Sequence, residues 1–156
     1  MAAVLLIEDD ENDRALFSRL VSHAEWKVDS ASTLDEGLGR IGRELPAVVL
    51  LDLGLPDSNG ISGLRRLTRR FPELPIVVLT GLDDEAVGLQ AVREGAQDYL
   101  VKGQVDGKLL DRSLRYAIER KRAESAIARL ASITSALCDE CGRKVAAPNA
   151  SFDRRS

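Results

Sequence analysis

The chain has 156 residues, with 22 Lys or Arg against 25 Asp or Glu, a formal net charge of −3 at pH 7. A composition 44% apolar and 30% charged suits one folded domain with a short appendage, and it argues against disorder and against a broad nucleic-acid or membrane surface. One His and two Cys exclude a multi-histidine metal site and a disulfide framework, no apolar run approaches a membrane span, and the opening segment lacks a basic leader, so a cytoplasmic location is expected.

Ala3–Ile7 is the first short apolar run, followed by Trp26–Asp29, Ala47–Leu51, Ile76–Leu79 and Asp98–Val101. Between them apolar residues recur at helical spacing, as in Ala15, Leu16, Leu20 and in Leu64, Leu67, Phe71. Strands alternating with helices predict βαβ units on a parallel sheet. Ala47–Leu51 and Ile76–Leu79 are apolar without interruption, as strands covered on both faces are, and Pro46 and Pro75 stand just ahead of them. The expected fold is α/β, a flavodoxin-like (βα)5 doubly wound sheet in the order 2-1-3-4-5 over about residues 2–120. Within it, Thr33–Glu36 reads as a capping box. Gly37, Gly39 and Gly42 match G-x-G-x-x-G by letter, but they lie inside a helical pattern and not after a strand, so no dinucleotide site is expected.

The last helix is expected to overrun the domain, because no Pro or Gly follows Gly107 until beyond Leu137. Leu109, Tyr116, Ala123, Ile127, Leu130, Thr134 and Leu137 lie on one heptad track, interrupted by Ser113 and Arg120. The chain therefore divides into a domain over 1–121, a helical extension over 122–137 able to form a homodimeric coiled coil, and a mobile tail over 138–156. Truncation after Lys121 is expected to weaken the dimer. Cys138 and Cys141 are half of a zinc-ribbon spacing and read as tail thiols, although a dimer would supply four. Arg112, Arg115, Arg120, Lys121 and Arg122 read as a solvated basic face, with no direct DNA binding expected, and His23 as a surface or boundary residue.

Chemically active residues stand where the strands end: Glu8 and Asp9 after the first, Asp52 after the third, Thr80 after the fourth, Lys102 after the fifth. In an open parallel sheet these ends share one edge, and strands 1 and 3 flank the crevice where the order reverses. Taken singly, each acid reads as a solvated surface group. Together they predict carboxylates gathered closely enough to require a cation or a proton. Mg2+ suits such oxygen ligands and keeps waters and phosphate oxygens in its shell. Lys102 offers a compact positive charge and Thr80 a hydroxyl to a phosphoryl group, and a carboxylate can itself become an acyl phosphate. Asp10 reads as charge at a helix N-terminus.

Val4-Leu-Leu-Ile-Glu-Asp-Asp10, Val48-Val-Leu-Leu-Asp-Leu-Gly-Leu-Pro-Asp-Ser-Asn-Gly60, Val77-Val-Leu-Thr-Gly81 and Asp98-Tyr-Leu-Val-Lys102 together resemble the receiver domain of two-component response regulators. The resemblance implies that Asp52 accepts a phosphoryl group from a histidine kinase or phosphotransfer protein, with Thr80 and Lys102 assisting. It implies that Asp9 binds Mg2+ directly, Glu8 through water and Gly54 through its backbone carbonyl. Thr80 and Tyr99 would couple phosphorylation to the face of the fourth helix, fifth strand and fifth helix, and so to an unknown downstream signalling protein. That describes a switch and not a turnover enzyme. The alternatives are a Mg2+-dependent phosphatase and a structural dimerisation module with a vestigial site. Gly103 follows Lys102 where many receivers have a cis-linked proline, which bears on how that loop is held. The side chains of Gly54 and Leu82, two residues beyond Asp52 and Thr80, offer no hydrogen bond to an attacking water, so a comparatively long-lived phosphoaspartate is expected.

Overall fold

A computed structural model of the chain describes the backbone of residues 2–22 and 25–155 and the side chains of 2–21 and 25–135. His23 and the side chains of Cys138 and Cys141 lie outside the described residues. The chain forms two units, Met1–Lys121 and Arg122–Ser156. In chain order the elements are β1 (Ala2–Ile7), α1 (Glu11–Ser22), β2 (Trp26–Ala31), α2 (Leu34–Arg43), β3 (Val48–Asp52), α3 (Ile61–Arg70), β4 (Ile76–Thr80), a 3₁₀ turn (Leu82–Asp84), α4 (Glu85–Arg93), β5 (Asp98–Val101) and α5 (Gly107–Arg155). Every strand pairing is parallel and the sheet order is β2-β1-β3-β4-β5, as the sequence pattern predicts.

Alternation along each strand sorts the aliphatic side chains onto two faces. Leu5, Ile7, Val49, Leu51 and Val78 pack with Leu34, Leu38 and Ile41 of α2 and with Leu64 and Leu67 of α3. Val4, Leu6, Val48, Leu50, Val77 and Leu79 pack with Phe17 and Val21 of α1 and with Leu110 and Leu114 of α5. β3 and β4 are buried at every position, which is why their sequences never alternate. Burying one such side chain contributes about 1.5–3 kcal/mol, so the two strands that end in Asp52 and Thr80 are the most firmly anchored of the sheet.

The N-terminus of α2 is capped twice. Thr33 Oγ1 accepts from the Glu36 N–H at 3.1 Å, while the Glu36 carboxylate accepts from the Ser32 N–H and hydroxyl. This is the expected box with its return arm shifted by one residue. Asp57, from the loop after β3, adds Oδ1 and Oδ2 as acceptors for the N–H groups of Leu34 and Asp35, at 3.0 and 3.1 Å. Gly37, Gly39 and Gly42 all lie within α2, and a Cβ on Gly37 would stand 2.5 Å from Ile7 Cδ1. Glycine serves close helix–strand packing at Gly37, whereas a Cβ on Gly39 or Gly42 would meet nothing within 4 Å.

In the first unit, Leu110, Leu114 and Ala117 are the buried stripe of α5. The heptad-track residues Leu109 and Tyr116 lie on its exposed side, at 36% and 59% exposure. Ser113, a polar interruption of the track, is buried and donates to Asp98 Oδ2 at 3.2 Å. The basic residues are more engaged than a solvated face would require. Arg115 pairs with Asp111 and stacks on Trp26, whose Nε1–H donates to Asp111 Oδ1, and Arg120 donates to Gln97 O at 2.8 Å. α5 continues as helix to Arg155, through the stretch that the sequence pattern assigns to a mobile tail. A helical backbone closes its own hydrogen bonds and does not require the apolar periodicity that marks a packed face. In the second unit Ile127, Leu130 and Ile133 are 67%, 64% and 57% exposed. Among the described residues no helix is long and apolar enough to cross a membrane.

Candidate functional site

The carboxyl edge of the sheet gathers the residues that the strand ends predict. Carboxylate oxygens of Glu8, Asp9 and Asp52, one from each, lie within 4.8 Å of one another. Glu8 is fully buried and Asp52 nearly so, while Asp9 is exposed. Glu8 is held from several sides. Its N–H extends the β1–β2 ladder to Ala31 O at 3.0 Å, and its Oε1 accepts from the Asp10 N–H at 3.0 Å. Arg14 Nη1 donates to the carbonyls of Glu8 and Asp9, at 2.9 and 3.4 Å. Asp10 Oδ1 accepts from the Asp13 N–H at 2.9 Å, so Asp10 caps α1 beside the acidic pair, in the place expected of it.

Asp52 closes β3, and its Oδ1 accepts from the Gly54 N–H at 3.0 Å. A Cβ on Gly54 would come to 3.6 Å from Oδ1 and 3.8 Å from Oδ2, so any larger residue there would stand against the carboxylate. The Lys102 N–H donates to Thr80 O at 2.8 Å, continuing the β4–β5 ladder. Lys102 Nζ lies 2.7 Å from Glu8 Oε2, 3.1 Å from Asp13 Oδ2 and 3.5 Å from Asp52 Oδ2. Gly103 next to it has φ +89°, an angle closed to proline. The loop therefore follows a different path from one built on a cis-linked proline.

Thr80 ends β4 with its Oγ1 buried and, among the described residues, without a hydrogen-bond partner, a state proteins tolerate rarely. Tyr99 lies outside the acidic cluster, on the α4 side. Its ring packs against Gly88, where a Cβ would stand 2.6 Å from Tyr99 Cδ2, and its hydroxyl donates to Glu85 Oε1 at 3.3 Å.

Burial pushes the Glu8 carboxyl up to about 7, and the Asp52 charge adds to the rise, against the lowering pull of Lys102 and the Asp10 N–H. Burial alone would lower Lys102, but Glu8, Asp52 and Asp13 outweigh it and hold the ammonium above its ordinary value. One lysine thus meets three carboxylates, with the Asp9 carboxylate beside Glu8 and Asp52, a charge imbalance that a divalent cation with oxygen ligands would relieve.

Three functional-edge residues escape sequence reading. Asp13 is one of four acids between residues 9 and 13, and nothing in its spacing singles it out for Lys102. Arg14 reads as an ordinary helix-surface residue. Asp57 reads as a turn residue. Although burial pushes its carboxyl up, the N–H groups of Leu34 and Asp35 hold it below the usual range, a partnership that only the folded chain reveals.

Residues 4–113 match the family model described as the response regulator receiver domain. The chain belongs to that family. It is 34% identical over 125 residues to the transcriptional regulatory protein AfsQ1 of Streptomyces coelicolor, covering 80% of this chain and 55% of that protein. It is 33% identical over 145 residues to the KDP operon transcriptional regulatory protein KdpE of Escherichia coli, covering 93% of this chain and 64% of that one. The chain thus spans less than two thirds of either relative. A response regulator receiver domain protein from Clostridium thermocellum superposes with a TM-score of 0.72 at 29% identity, over 79% of this chain and 98% of that one. NtrX from Brucella abortus does so with a TM-score of 0.74 at 26% identity, over 83% and 29%.

Proposed function

We propose that the chain is a phosphorylation-controlled signalling switch in which Asp52 receives a phosphoryl group from a histidine kinase or phosphotransfer protein. The observation that carries this reading is the convergence of Glu8, Asp9 and Asp52 within 4.8 Å, with Lys102 closing the group. The donor set fits Mg2+: Asp9 as direct ligand, Glu8 through water, Asp52 and the Gly54 carbonyl completing the protein's share. When bound, Mg2+ neutralises the gathered carboxylates and the charge on the phosphoryl oxygens.

The chain's own residues do the rest. The Gly54 N–H orients the Asp52 carboxylate. A carboxylate oxygen forms a bond to phosphorus as the phosphorus–nitrogen bond of phosphohistidine breaks, the imidazole keeping the electron pair. Lys102 pairs with a phosphoryl oxygen, and the unpartnered Thr80 hydroxyl gains an acceptor. Moving Thr80 alters the packing of Tyr99 against α4, which transmits the state to a downstream signalling protein. The chain acts as a switch, in the cytoplasm, without direct DNA contact of its own and without turning over an external substrate. Self-association through the helix beyond residue 121 belongs to the same proposal, supported by the exposed Ile127, Leu130 and Ile133.

Incubation with acetyl phosphate and Mg2+ tests this reading. The wild type gains the mass of one phosphoryl group and Asp52→Ala does not. Because neither the Gly54 nor the Leu82 side chain offers a hydrogen bond to the attacking water, the label persists well beyond seconds. Absence of any mass gain would leave a structural dimerisation module, and turnover of a phosphomonoester would indicate a phosphatase.

A further inference from the structure

Lys102 Nζ has three N–H donors and three carboxylates around it, Glu8 at 2.7 Å, Asp13 at 3.1 Å and Asp52 at 3.5 Å. A phosphoryl oxygen on Asp52 competes for the ammonium with these partners, of which Asp13 Oδ2 accepts a hydrogen bond from Nζ at 3.1 Å. Glu8 is fully buried and has the shortest contact, so its charge would lose the lysine in a site closed to solvent. Asp52 is the acceptor itself. Asp13 is different: its side chain is 37% exposed, and its backbone is fixed in the first turn of α1 by the cap from Asp10. Water can take over its carboxylate when the lysine leaves.

We propose that Asp13 is a positioning residue that competes with the phosphoryl group for Lys102 through its hydrogen bond to Nζ, so that phosphorylation of Asp52 draws Lys102 from Asp13 to a phosphoryl oxygen. The proposal rests on the phosphoacceptor reading of Asp52 and deepens it. The wild-type contact to Asp13 is shorter than the one to Asp52, 3.1 against 3.5 Å, so the ammonium rests nearer the residue that must release it. An ion pair exposed to this degree is weak. Its loss therefore changes the labelling rate by a small factor and leaves the reaction intact.

The test compares the wild-type chain, Asp13→Asn and Asp13→Glu with acetyl phosphate and, separately, with the less charged donor phosphoramidate, at saturating Mg2+. Asp13→Asn is expected to label about two- to fivefold faster with both donors. Asp13→Glu, which keeps the charge, is expected to stay near the wild-type rate, and the Mg2+ affinity of both variants to match the wild type. A gain confined to acetyl phosphate would mean that Asp13 merely repels an anionic donor, and would overturn the proposal. So would an Asp13→Asn rate equal to or below wild type, or a changed Mg2+ affinity accounting for the gain. If the wild type takes no label at all, the phosphoacceptor reading itself fails, an outcome distinct from the others.

Discussion

At the residue scale, Glu8 shows burial and function pulling in opposite directions. Its full burial pushes the carboxyl up to about 7 from an ordinary 4.5, so near neutrality the metal-free pocket retains much of its proton. A carboxyl raised in the folded state binds more protons than in the unfolded chain. Its contribution to stability is therefore present at low pH and is lost as pH rises from 4.5 to about 7. Mg2+ calls for the ionised form, so its binding releases a proton. The Mg2+ affinity of the wild type is expected to rise as pH increases from about 6 to about 8, with proton release visible by calorimetry in buffers of different ionisation enthalpy. Glu8→Gln removes that dependence. An affinity that stays flat over the same range would contradict this account of Glu8.

At the scale of elements, β3 and β4 impose rigidity on one side of the site, whereas the loops after β1, β3 and β5 are tied by local hydrogen bonds. Asp57 links the loop carrying Gly54 to the start of α2, and side-chain caps of this kind contribute about 1 kcal/mol. For α5, the exposed aliphatics beyond residue 121 predict self-association. Truncation after Lys121 leaves the sheet and both cores complete and is expected to shift a dimer toward monomer in sedimentation velocity. An unchanged sedimentation distribution would rule out that role for the helix. The strands were legible because uninterrupted aliphatic runs bounded by Pro46 and Pro75 admit few other readings. The packed stripe of α5 was not. Leu110, Leu114 and Ala117 compete with the equally periodic Leu109 and Tyr116, and only the sheet decides which stripe is covered.

At the scale of the whole molecule, the site follows from topology. Crossing from β1 to β2 and back past β1 to β3 places β1 and β3 side by side, with Ile7 opposite Leu51, so the residues just beyond them converge. Glu8, Asp9, Asp52, Thr80 and Lys102 were legible because each stands at a strand end, and a parallel sheet puts all such ends on one edge. Asp13 and Asp57 were not, because their partners are 89 and 22 or more residues away in the chain. No local pattern records such a pairing. The account as a whole depends on which atom takes the phosphoryl group. Peptide mass mapping of the chain after acetyl phosphate and Mg2+ reads this directly. A single phosphoryl group on the peptide containing Asp52, absent when Mg2+ is chelated, is the predicted result. Label on any other residue, or undiminished labelling of Asp52→Ala, would contradict it.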